Sequence, residues 1–209
     1  MPAACLLAVL VGMTPALSVQ ALAANLAVAV RDGEGRAVAD AAVWAARRGA
    51  AQSSQAVVGA TIDQRDRTFV PFVSIVQTGT AVRFPNNDTV RHHVYSFSPA
   101  KVFSLKLYLG TPAEPVVFDR PGRVVLGCNI HDRMLAYVYV VDTPHFGVSG
   151  SDGWVRLENL QEGDWDVMVA HPDHEGEPVT SRIAISRRDA RHELSLAIPA
   201  TSRKRMSPR

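Results

Sequence analysis

The residues best equipped for chemistry lie in one short stretch, "GCNIHDRM", residues 127–134. Cys128, His131 and Met134 follow one another at three-residue steps. A thiolate and a thioether are soft ligands, and imidazole suits copper in both common oxidation states. Fully extended, the stretch from Cys128 to Met134 would span about 20 Å, so the three act together only if the loop folds back. Two imidazoles, one thiolate and a weak axial thioether make up a trigonal electron-transfer copper site. The loop supplies all of these but one imidazole. "FPNNDTVRHHV" offers two candidates, His92 and His93. Adjacent strand residues point to opposite faces, so only one can readily reach the metal, and alternation alone does not choose between them.

The elements that must position these residues read as strands. "GRVVLGC" delivers Cys128 to its end, and "LAYVYVV" starts directly after Met134. Short runs rich in Val, Ile, Thr and aromatics alternate with polar residues from Ala24 onward, ending at Gly, Pro, Asn or Asp clusters. With no long helical period, the expected class is all-β, built of sandwiches. Phe103 to Leu109 alternates but is bracketed by Pro99, Gly110 and Pro112, leaving strand or short helix open there. Turn-rich stretches near residues 46–55 and 142–153 suggest boundaries.

Composition narrows the function classes. The chain has 209 residues, 47% of them hydrophobic, and a net charge of +2. That charge gives no basis for inferring a nucleic-acid binder. "AACLLAVLVGMTPAL" before "ALAAN" reads as a signal peptide over residues 1–23, cleaved before Ala24. No other segment approaches the roughly 20 apolar residues of a membrane span. The expected location is therefore periplasmic, and the basic end, residues 201–209, is expected to be disordered. Cleavage would remove Cys5 and leave Cys128 alone in an oxidising compartment, where a lone thiol is a liability unless buried, paired or bound.

The span from about residue 55 to 142 resembles a cupredoxin, the family of plastocyanin and amicyanin. The resemblance is carried by "FVPFVSIVQTGTAVRFPNNDTVRHHV", in which Phe69, Pro71, Gly79, Asn86, Asn87, His92 and Val94 fall into the family's places. The Cys-x-x-His-x-x-Met spacing is amicyanin's short form. "NNDTVRHHVYSFSP" together with "GCNIHDRM" also resembles bacterial cupredoxin-like proteins labelled methylamine utilization proteins. The resemblance implies a Greek-key β-sandwich and one type 1 copper ion held by His92, Cys128, His131 and Met134. It implies an electron carrier rather than an enzyme, monomeric, with transient redox protein partners. The alternative is a copper carrier or sequestration protein using the same ligands without turnover. A cysteine hydrolase built on Cys128 would leave Met134 and the loop spacing without a role.

Two positions depart from the family pattern. Ile130 stands where the family has proline, so its N–H is expected to donate to the Cys128 sulfur and raise the potential. His93 replaces an asparagine that ties strands together, and is expected to do the same or to serve as a spare ligand. His131 is expected to form the exposed edge for electron passage, with Pro99, Ile130 and Leu135 as a weak docking patch.

The flanks resemble a carboxypeptidase regulatory-like β-sandwich, through "VAVRDGEGRAVADAAVWA" and "GSDGWVRLENLQEGDWDVMVAHPD". The expected organisation is an insertion. Residues 24–49 and 143–200 would form the two parts of that sandwich, and 50–142 the cupredoxin-like domain within it. "HPDHEGE", with His171, His174 and Glu175, is expected to be a solvated loop rather than a second metal site. Trp44, Trp154 and Trp165 are expected in the core or at its rim.

Overall fold

The computed structural model describes residues 23–50, 59–112 and 114–199. The basic tail and all of the expected signal peptide but Ala23 lie outside the described residues. Every regular element among the described residues is a β-strand. Strands β1 (Ala24–Asp32) and β2 (Ala42–Arg47) come first. Then follow β3 (Ala60–Thr61), β4 (Asp63–Arg65), β5 (Thr68–Val70), β6 (Val73–Gln77), β7 (Thr80–Arg83) and β8 (His92–Ser98). Next are β9 (Lys101–Tyr108), β10 (Val116–Phe118), β11 (Gly122–Gly127) and β12 (Leu135–Val141). The last are β13 (Phe146–Val148), β14 (Trp154–Leu160), β15 (Gly163–Ala170), β16 (Val179–Ile185) and β17 (Ala190–Leu196). The segment left open, Phe103 to Leu109, is strand as far as Tyr108, because it pairs antiparallel with β8.

The strands sort into two hydrophobic cores. Sheets β14-β1-β17 and β13-β2-β15-β16 enclose Leu26, Val28, Val43, Leu157, Trp165 and Val167. These strands lie at the two ends of the described chain and join where β1 runs parallel to β17. Sheets β6-β12-β11-β8-β9 and β10-β7-β3 enclose Phe69, Phe84, Val94, Leu126, Met134 and Val138. Alternation decides which side chains enter: on β12, Ala136, Val138 and Val140 belong to this core, whereas Tyr137 and Tyr139 face the other way. Each fully buried Val, Leu or Phe is worth roughly 1.5–3 kcal/mol.

A small third cluster joins the two bodies. Val73 and Tyr139, on the outer face of the five-stranded sheet, meet Ala42 of β2 and Ala170 of β15, with Trp44, Ile75, Tyr137 and Val148 packed around them. One flank of that sheet is thereby covered, while its other edge, β9, is left open with Val102 and Leu107 exposed.

Turns are fixed by the residues the strands need there. In "RDGEGR" the Asp32 Oδ1 accepts from the backbone N–H of Glu34 (2.9 Å) and Arg36 (3.0 Å), and Oδ2 from Arg36 Nε (3.0 Å). Burial works against the charge on Asp32, but these donors outweigh it and hold its pKa at about 2. Trp165 is core, its Nε1 donating to the Gln161 carbonyl (2.9 Å), whereas Trp154 is a rim residue with Arg31 over its ring.

Candidate metal centre

Strands β11 and β12 pair antiparallel from Gly122↔Val140 to Gly127↔Leu135, so the loop from Cys128 to Met134 closes one end of a hairpin. The Met134 N–H donates to the His131 carbonyl (2.9 Å), folding the loop back as its residue spacing requires. Strand β8 joins β11 at Tyr95↔Gly127, which places the start of β8 beside the loop.

His92 and His93 take opposite faces. His92 is fully buried, and its Nδ1 lies 3.8 Å from the Cys128 Sγ. The His131 Nδ1 lies 3.6 Å from the same sulfur. The three donor atoms all fall within 4.8 Å of one another. Bonds of about 2.0 and 2.3 Å, the lengths typical of metal–imidazole and metal–thiolate pairs, separate their donors by roughly 3.5–3.7 Å at angles of 110–120°. The spacing therefore fits three ligands around one ion, and their chemistry fits copper. Met134 is buried in the same core cluster as Cys128. His93 points away and its Nε2 pairs with Ser104 Oγ at 2.7 Å, tying β8 to β9. That is the tying role expected for it.

The loop before β8 is built by its asparagines. Asn86 is buried and donates from Nδ2 to the Val90 and Tyr108 carbonyls (both 2.9 Å). Its Oδ1 accepts from the Asp88 N–H (3.0 Å), and Asn87 Nδ2 donates to Asp63 Oδ1 (2.9 Å). This network places a residue that sequence reasoning missed. Asp88 Oδ2 lies 3.0 Å from the His92 Nε2. With Nε2–H directed at a carboxylate, the His92 lone pair sits on Nδ1, the nitrogen that faces the sulfur. Hydrogen bonds from the Arg67 N–H and from His92 hold the Asp88 pKa at about 2 against its partial burial. The signal available in sequence was only an acid four residues before a histidine, a common spacing.

Three expectations need correction. The Ile130 N–H makes no hydrogen bond to Cys128 among the described residues, because the loop turns the two imidazoles, not this amide, toward the sulfur. Pro99 does not belong to a patch around His131, since it follows β8 at the end remote from His92. The seven residues of β8 put roughly 20 Å between the two ends. Ile130 and Leu135, 47% and 36% exposed, do flank the loop beside half-buried His131. Finally, His171 is not solvated: it is buried, with its Nδ1 accepting from the Asp173 N–H (3.1 Å). Polar neighbours in "HPDHEGE" concealed that β15 carries it inward. His174 turns instead to the Ala197 carbonyl (3.1 Å), and no second group of metal-type ligands forms among the described residues.

The body is thus a mixed two-sheet sandwich with a His–Cys–His cluster at one end, two of its three residues buried. No family model matches the chain, and no curated protein matches it. Solved structures do. A purple cupredoxin from Nitrosopumilus maritimus is 22% identical at a TM-score of 0.35, over 39% of this chain and 98% of that one. A copper-containing nitrite reductase from Thermus scotoductus is 21% identical at a TM-score of 0.38, over 46% of this chain and 25% of that one. An oxidized amicyanin variant is 16% identical at a TM-score of 0.36, over 46% of this chain and 98% of that one.

Proposed function

We propose that this is a type 1 copper protein of the periplasm that carries single electrons between redox partners. Its ligands are His92, Cys128, His131 and Met134, and it acts as a carrier rather than a catalyst. The observation that carries the reading is the convergence of one thiol and two imidazole nitrogens within 4.8 Å at the end of a β-sandwich. When bound there, copper supplies a one-electron couple. The chain supplies the rest. His92 and Cys128 are fixed by strand pairing and by Asp88, so little protein rearrangement accompanies a change of charge. Half-buried His131, flanked by exposed Ile130 and Leu135, offers the side on which a partner would dock. No helix among the described residues is long and apolar enough to cross a membrane. We assign residues 50–142 to this copper body, and 24–49 with 143–200 to the sandwich around it.

Copper titration of the purified protein tests the reading. The expected outcome is an intense thiolate-to-Cu(II) charge-transfer band and reversible voltammetry, with the band abolished in Cys128→Ser. Tight copper uptake without reversible cycling would favour sequestration instead, and absence of the band would overturn the assignment.

A further inference from the structure

The two imidazoles of the cluster are held very differently. The His92 ring is fully buried, and its outer nitrogen meets a carboxylate at 3.0 Å. The His131 ring is half-buried, and its only hydrogen-bonding contact among the described residues is the Cys128 sulfur. The carboxylate beyond His92 is itself locked. Its Oδ2 accepts from the Arg67 N–H (2.8 Å) and its Oδ1 from the Thr89 N–H (2.7 Å). Its own N–H is bound to Asn86, which is anchored on Val90 and Tyr108.

Building on the copper reading, we propose that Asp88 is a positioning residue that sets the electron affinity of the centre through His92. A full negative charge accepting the Nε2–H draws that proton outward and enriches the electron density on Nδ1. A richer donor favours the more highly charged metal state, so Asp88 stabilises Cu(II) over Cu(I) and lowers the potential. It also fixes the ring plane before metal arrives, because the imidazole cannot rotate without breaking the carboxylate contact. His131 lacks such an anchor and keeps its outer edge for a partner. The cluster thus divides its work: one imidazole tunes and the other is left for contact.

The test uses the full-length protein loaded with copper. Asp88→Asn keeps the shape and one acceptor oxygen but removes the charge. It is expected to retain the charge-transfer band while Cu(II) affinity falls about tenfold relative to Cu(I). That ratio corresponds to a midpoint about 59 mV higher for a one-electron couple. Asp88→Ala is expected to lose about 10–100-fold in Cu(II) affinity, the usual range for losing such a partner. Asp88→Glu, which keeps the charge, should lie closer to wild type than Asn does, even if both variants lose some stability. Glu158→Gln, on an exposed residue of the other body, removes the same charge and should leave the midpoint where it was. A blue wild type whose midpoint and Cu(II) affinity are the same in Asp88→Asn would overturn the inference alone. A wild type that takes up no copper would overturn the copper reading and the inference with it.

Discussion

Gly127 and Tyr95 face each other where β11 and β8 pair, one residue before the cysteine. A methyl group on Gly127 would come within 2.9 Å of the Tyr95 Cζ and Oη, so the tyrosine ring occupies the space a side chain would need. An aromatic lying over a strand glycine covers backbone that would otherwise be bare. Gly127→Ala is therefore expected to cost roughly 1–3 kcal/mol by overpacking, read as a lower denaturation midpoint. In a Tyr95→Ala background the penalty should largely disappear; an undiminished penalty would show that the clash is elsewhere. At this scale much of the centre was legible. The spacing of Cys128, His131 and Met134 is a weak pattern by itself and gains meaning only from the strands on either side and the histidine upstream; the structure brings Cys128 and His131 together with His92. Choosing His92 over His93 required the family pattern, since alternation says only that they differ. Asp88 was not legible, because its role comes from a chain reversal held by Asn86, and no periodicity records a reversal.

Among the elements, the turn after β1 makes its own prediction. The Asp32 carboxyl is held at about 2, below its unfolded value, so folding favours its charged form. Its contribution is complete above about pH 4 and is lost as the pH falls through about 2. Wild type should thus lose stability between those values, and Asp32→Asn should lose less over the same interval. Denaturation midpoints measured at pH 6 and pH 2 for both proteins check this, and equal pH slopes would refute it. Strand positions were readable wherever Val, Ile and aromatics alternate between turn residues. One misreading and one open reading came from local composition. "HPDHEGE" looks like surface, yet His171 follows directly on β15 and is buried. Phe103 to Leu109 has ambiguous neighbours, and only its pairing with β8 makes it a strand.

For the whole molecule, the separation of the two cores matters most. Leu157 belongs to the core shared by the chain's two ends and is 1% exposed. Leu157→Ala is expected to remove about 2–5 kcal/mol from that body. The contact between bodies is small, involving Ala42, Val73, Tyr139 and Ala170. The expected result is an earlier unfolding transition by circular dichroism, with the copper band persisting to higher denaturant. Loss of band and structure in one transition would mean that the bodies unfold together. One arrangement here reaches further. Strand β2 leads into the β3–β12 segment and β13 leads out of it, and the two are antiparallel neighbours, with Trp44 opposite Phe146. Both legs of the segment therefore leave the surrounding sandwich side by side, like the prongs of a plug. A segment so mounted could be transplanted onto an exposed hairpin tip of similar width, carrying the His92–Cys128–His131 cluster with it.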